Sequence, residues 1–172
     1  QEMKPSSNQI RRETPQLGDT VIEIQKTGAP HDRYDLVFVA EGYSASEHEK
    51  FKMDLERMVQ FMFEQEPYRK LRARFNIHAI HRPSVESGID QPDKRIYRNT
   101  ALNASFGALG MDRYLLAEDE HLLHQVAAQV PYDSIVVLVN SDRYGGGAIC
   151  LNYCVSTVDD PLSPGEIGRA HV

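Results

Sequence analysis

Long apolar runs are missing from this 172-residue chain. Stretches such as Ile135 to Val139 are far shorter than the roughly 20 residues a bilayer-spanning helix needs, so no membrane span is expected. Positive charge is scarce as well. With 19 Lys and Arg against 25 Asp and Glu, the formal charge is −6, which argues against nucleic acid as a partner, since phosphate binding needs concentrated Lys and Arg. The short basic cluster from Arg69 to Arg74 reads as a solvated helix face. Cysteine is limited to Cys150 and Cys154. In an extended segment these lie about 13 Å apart, at ~3.3 Å per residue, beyond the roughly 7 Å Cα separation a disulfide tolerates, so they are not expected to pair with each other. Several catalytic signatures are absent. No G-x-G-x-x-G follows a strand and no G-x-x-x-x-G-K-[ST] occurs, which leaves nucleotide binding weakly supported. No G-x-S-x-G elbow is present to carry a hydrolase serine. No H-E-x-x-H occurs either.

What the chain does contain suits one soluble domain. A charged fraction of 26% beside a hydrophobic fraction of 41% is the balance of a globular protein with a substantial core. Residues 1 to 19 are polar, carry Pro5, Pro15 and Gly18, and read as a leader or linker, leaving 20 to 172 as a single α/β domain. No apolar signal region precedes the fold, so the compartment is not written directly.

Val21 to Gln25 alternates briefly as a marginal strand, and Asp35 to Ala40 is a clear buried strand ending in Glu41-Gly42-Tyr43. Ser44 and Glu47 have the spacing of a capping box. The helix it predicts carries Phe51, Leu55, Met58, Val59 and Met62 at steps of three and four, the stripe of a packed core face. Pro67 interrupts, a short helix covers Tyr68 to Arg74, and Phe75 to Arg82 reads as a strand closed by Pro83. His78 and His81 fall on opposite faces of that strand and cannot chelate one ion together. The segment from Pro83 to Ser105 is long for a plain connection, and is either functional or a surface excursion. Arg113 to Leu116 is a short strand candidate and Asp119 to Gln129 a helix. His121 and His124 on that helix are either a polar flank or two ligands beside Glu118 or Glu120, with no further residue spaced to complete a tetrahedral set.

Ile135 to Val139 has the length and β-branched composition of a strand buried on both faces. It breaks at Asn140 into a polar turn and three glycines, and Ala148 to Val155 reads as the next strand. Gly145, Gly146, Gly147 and Ala148 either let a substrate backbone approach the rim closely or merely permit a tight turn. Arg143 and Tyr144 either orient substrate or anchor the bend. Strands alternating with helices in this order predict a mixed, mostly parallel twisted sheet flanked by helices.

Taken together, Asp35 to Tyr43, Phe75 to His78, Pro83 to Asp90, Thr100-Ala101-Leu102 and Ile135 to Gly147 resemble, in order and at compatible spacing over about residues 33 to 158, the bacterial IgA peptidase family of zinc metallopeptidases. The resemblance implies a zincin-like catalytic domain of a secreted or cell-surface peptidase acting on peptide or protein substrates. It also implies zinc as cofactor, held by the two histidines of an H-E-x-x-H helix whose glutamate is the general base. Here that helix is missing: His171 is followed by Val172 and is not assigned as a ligand. No catalytic or metal residue is therefore assigned, and no zinc is expected to bind tightly. The chain is expected to be the amino-terminal part of such a domain, incomplete at its carboxy terminus and inactive alone. By analogy with zincins, a rim of Arg143, Tyr144, Gly145, Gly146, Gly147 and Ala148 would take an extended peptide as an added strand. Two other classes remain open. One is a noncatalytic peptide-binding or self-associating module using an exposed sheet edge, as a homo-oligomer. The other is a doubly wound nucleotide-binding domain.

Overall fold

Alternation within one apolar run organises the molecule. The computed structural model describes residues 18–148 and 153–158. In chain order the regular elements are strands β1 (Thr20–Gln25) and β2 (Tyr34–Glu41), helices α1 (His48–Glu64) and α2 (Tyr68–Leu71), strands β3 (Phe75–His81), β4 (Ser105–Phe106) and β5 (Leu115–Leu116), helix α3 (Glu120–Ala127), and strands β6 (Ser134–Val139), β7 (Gly146–Gly147) and β8 (Tyr153–Thr157). Leu36, Phe38 and Ala40 of β2 point into one core layer, with Val136 and Leu138 of β6, Cys154 of β8 and the inner face of α1. Val37 and Val39 point the other way, into a second layer with Ile135, Val137, Val155 and the Leu123, Val126 and Ala127 face of α3. A strand turns successive side chains to opposite faces, so a continuous hydrophobic run is what a sheet covered on both sides requires.

The main sheet has the order β1-β3-β2-β6-β8-β7. The central pairings β3–β2, β2–β6 and β6–β8 are parallel, while β1 and β7 run antiparallel to their neighbours at the two edges. This is the mixed, mostly parallel α/β class the alternation predicts. The capping box closes as expected: the Ser44 N–H donates to Glu47 Oε2 at 2.8 Å. It opens a 3-10 turn, Ala45–Glu47, and α1 follows from His48. All five residues of the predicted stripe are buried, together with Phe63. Each such side chain contributes about 1.5–3 kcal/mol through burial, which is why an amphipathic helix with Lys50, Lys52, Glu56 and Arg57 off the stripe holds against the sheet.

Two expectations change. Of the strand anticipated over Ala148 to Val155, Ala148 lies outside any strand, 149–152 lie outside the described residues and β8 runs on to Thr157. Two of the three glycines expected to form a bend make the edge strand β7, with Gly146 opposite Ser156 and Gly147 opposite Val155. Cys154 is buried in β8, while Cys150 lies outside the described residues. At the amino-terminal side, residues 1–17 of the expected leader also lie outside them. Asp19 joins the fold through Arg82, whose Nε and Nη2 each donate to its carboxylate at 2.7 Å. No helix among the described residues is long and apolar enough to cross a membrane.

Candidate substrate-binding rim

The carboxyl end of β2 is where the separate sequence motifs meet. Glu41 is completely buried, and its carboxylate accepts hydrogen bonds from Thr100 Oγ1 at 2.5 Å and from the backbone N–H groups of Leu102 and Ala104, each at 2.8 Å. Burial pushes its pKa above the usual carboxylate range, against the opposing pull of those donors. Beside it, Gly42 adopts a φ of +75°, and a Cβ there would stand 2.6 Å from the Gly88 carbonyl oxygen. Only glycine suits that approach, which brings the Gly88 N–H to 2.9 Å from Gly42 O. Ser84 Oγ then receives the N–H groups of Gly42 and Ala101 at 3.1 and 3.0 Å. The long segment after Pro83 is thus fastened over the sheet end at both of its motifs.

A polar cluster fills the adjoining crevice between the carboxyl ends of β2 and β6. Chain order reverses direction here, since β3 lies on one side of β2 and β6 on the other, and open α/β sheets place ligand sites at such a point. Asn140 Nδ2 donates to Gly42 O at 2.9 Å, and to Glu47 Oε1 and Ser87 Oγ at 3.2 Å each. Lys50 Nζ donates to Asn140 Oδ1 at 2.9 Å and to Asp54 at 2.6 Å. Burial acts to raise the Glu47 pKa, but the bonds from Ser44, Ser87 and Asn140 outweigh it and hold the carboxyl below its ordinary value. In the sequence Asn140 shows only as the end of a strand, and Lys50 only as a residue off the apolar stripe. No local pattern in the sequence marks either residue as part of this cluster, which depends on the strand order the fold adopts.

From there the chain passes into the predicted rim. Arg143 reaches two other segments at once: Nη1 donates to Asp93 Oδ1 at 2.8 Å and Gln91 Oε1 at 3.3 Å, and Nη2 to Asp112 O at 3.2 Å. Its guanidinium lies 4.3 Å from the centroid of the Phe106 ring. The hydrogen bond from Arg143 lowers the Asp93 pKa. Tyr144 is 41% exposed, with Arg113 Nη1 at 3.5 Å from its hydroxyl. Gly145 is buried: a Cβ would strike the Phe106 ring and come within 2.9 Å of Arg113 O. The Gly146 N–H donates to Arg113 O at 3.1 Å, and a Cβ on Gly147 would stand 3.1 Å from Leu115 O. On the other side Gly145 O accepts from both the N–H and the Oγ1 of Thr157 at 3.1 Å. The glycines are therefore sandwiched between β8 and the β4–β5 ribbon, and the outward N–H of Gly146 is already in use. Ala148 is exposed, and residues 149–152 lie outside the described residues.

The histidines are dispersed. His78 faces Glu23 at 3.9 Å, while His81 meets His48. His121 Nε2 lies 2.8 Å from Gln125 Nε2 and His124 Nδ1 lies 3.1 Å from the Tyr132 hydroxyl.

With this geometry in place, comparison with known proteins bears on what it serves. The family model described as IgA Peptidase M64 matches residues 22–163. The chain belongs to the IgA peptidase M64 family. Among curated proteins nothing matches it. The match spans the strands and loops just described, so this M64 chain is a metallopeptidase-family domain, and the matched region includes the segments that Glu41, Gly42, Ser84 and Arg143 bind together. The M64 family is generally one of zinc metallopeptidases; among the described residues no three His, Cys, Asp or Glu side chains converge on one point, so the described residues alone do not make up the three or four ligands a zinc site uses.

Proposed function

We propose that this M64 domain binds and orients an extended peptide for zinc-dependent hydrolysis outside the cell, within a zincin-like fold, and that the 172 residues by themselves do not cleave it. The observation that carries the reading is the edge strand β7, whose glycines are backed by the β4–β5 ribbon and whose open end is Ala148. It runs antiparallel on an otherwise parallel sheet core, is built of glycine, and leads into the exposed Ala148. A peptide that adds to a sheet edge gains main-chain hydrogen bonds, and small residues let its backbone come close. Because the Gly146 N–H is engaged by Arg113, the added strand is assigned to the Ala148 end of the rim. Gly145 to Gly147 serve as its backing, and Arg143 acts by holding the rim while Tyr144 offers an exposed ring to substrate.

The bond-breaking step needs a metal-lowered water pKa, and no ligand set for that metal is assigned to these residues. Titrating the isotope-labelled chain with a mixture of unstructured ten-residue peptides tests the binding part. Amide shifts concentrated at Tyr144 and Ala148 are expected, and shifts confined to the opposite edge at β1 would sink it. Incubation of the same chain with a quenched fluorogenic peptide and equimolar zinc is expected to give no cleavage. Stoichiometric zinc uptake with turnover would overturn the noncatalytic assignment.

Self-association through a sheet edge has one favourable observation, the position of β1 as an outer strand with Val21 exposed. Concentration-dependent mass by light scattering would reveal it, with peptide titration shifts then appearing at Thr20 to Gln25. A nucleotide site draws no support from the glycines, which enter strand β7 and leave no helix N-terminus to cradle a phosphate.

A further inference from the structure

Away from the rim, two imidazoles meet where α1 begins and β3 ends. His81 is the last residue of β3, 2% exposed, with its ring stacked on Phe51 at 5.5 Å between centroids and 23° between planes. His48 is the first residue of α1. The two Nδ1 atoms are 2.8 Å apart. At that separation one ring donates and the other accepts, so the facing nitrogens hold one proton between them. A second proton there would set two N–H groups against each other and place two positive charges in van der Waals contact.

We infer that His48 and His81 form a proton-sharing latch that ties the start of α1 to the end of β3, and that entry of a second proton opens it and loosens the polar cluster at the carboxyl ends of β2 and β6. The path to that cluster is one residue long. Glu47 directly precedes His48 and receives Ser44, Ser87 and Asn140 on its carboxylate, while Ser44 also bridges to Ser84, three residues beyond His81. Displacing His48 therefore moves the acceptor that joins α1 to β6 and to the long loop.

The surroundings set the direction of the switch. Burial and the neighbouring His48 hold His81 below the usual histidine range, and the Glu47 carboxylate acts the other way. His48 stands in the first turn of α1, where the helix dipole disfavours a positive charge. Other charges nearby are paired: Asp19 with Arg82 beside the strand end, and on α1 Glu49 with Lys52 and Asp54 with Lys50 and Arg57. Phe51, on the other face of the His81 ring, carries no charge. Above neutrality the latch is closed; it opens only as pH falls below the usual histidine range, because burial and the neighbouring imidazole both oppose the second proton, and His48, being less buried, is the ring that leaves. This inference does not depend on peptide binding.

Side-chain and backbone NMR of the 172-residue chain, followed from about pH 8 to about pH 4, through and below the histidine range, tests it. His48 and His81 are expected to titrate as a coupled pair in two steps, the second accompanied by shifts of the Ser44, Glu47 and Ser87 amides and the Asn140 side-chain amide. In His48→Gln, which is expected to keep the fold by far-UV circular dichroism, the pH-linked shifts at Ser87 and Asn140 should vanish. Independent single-proton curves for both rings in the unmodified chain, or shifts at Ser87 and Asn140 that persist unchanged in the variant, would overturn the latch. Should the variant not fold, the wild-type curves alone decide between coupled and independent titration.

Discussion

The carboxylate of Glu41 and the backbone N–H of Leu102, 61 residues apart in sequence, are joined by a buried hydrogen bond of 2.8 Å. Because Glu41 ends β2 and Leu102 belongs to the long loop, this contact is one of those that hold the loop over the sheet end that carries the polar cluster.

Replacing that carboxylate by an amide is the sharpest probe of it. In Glu41→Gln, whichever way the amide is turned, either Leu102 or Ala104 presents its N–H to an NH2 group and loses its acceptor. A buried donor left unsatisfied costs about 1–3 kcal/mol. The variant should therefore unfold at lower urea concentration by about that amount. The pH dependence follows from the raised pKa of Glu41. The folded state keeps this proton above the unfolded value, so its contribution is fully present below that value and declines as pH rises through the folded one. The stability gap between wild type and variant should accordingly narrow as pH rises across that window, and a widening gap would show that the sign is wrong.

How much of this was legible in the sequence depends on the range of the interactions involved. The runs at Leu36 to Ala40 and Ile135 to Val139 and the Phe51 to Met62 stripe declare themselves, because two-sided burial and helix periodicity are local patterns. The β7–β8 boundary does not. Two glycines have no side-chain period, and their pairing is decided by Ser156 and Val155 on one side and by Arg113 on the other. Arg143 was visible as part of a motif, but its partners Gln91, Asp93 and Asp112 lie on two other segments, so anchoring could not be separated from substrate contact. The His48–His81 contact left no local trace at all, since the two residues are 33 positions apart.

Asn140 is expected to help Ser44 and Ser87 keep Glu47 ionised. Its side-chain N–H is among the donors that lower the Glu47 pKa, and Asn140→Asp would instead set a second carboxylate 3.2 Å away. The lowered pKa means that Glu47 contributes stability above its unfolded value, which is lost as pH falls through the folded one. In the variant the Glu47 carboxyl carbon should titrate at higher pH by carbon-13 NMR, and the acid side of the stability profile should begin to fall earlier. An unchanged Glu47 midpoint would remove Asn140 from the account.

Gly145 should tolerate no side chain. A methyl group there meets the Phe106 ring and the Arg113 carbonyl oxygen, and overpacking of this kind costs typically about 1–3 kcal/mol. Gly145→Ala is expected to lower the thermal midpoint, and adding Phe106→Leu should restore part of the loss by removing the ring but not the backbone clash. A fully additive double variant would mean that ring and methyl do not meet.

Arg143 separates an anchoring role from direct contact with substrate. Its guanidinium is committed to Gln91, Asp93, Asp112 and the Phe106 ring, so Arg143→Ala frees the loop around Gln91 and the ribbon of β4 and β5 from the glycine strand together. Hydrogen exchange should quicken at Phe106, Leu115 and Gly146, while the core amides of β2 and β6 stay protected, since local openings need not reach the central strands. Arg143→Lys keeps the charge but cannot span three acceptors in one plane, so it should behave nearly as the alanine variant does. If Lys restores the protection, a single ion pair with Asp93 suffices to hold the rim. If neither variant changes exchange at Gly146, the glycine strand is held by Arg113 and Thr157 alone, and Arg143 is released to act on substrate directly.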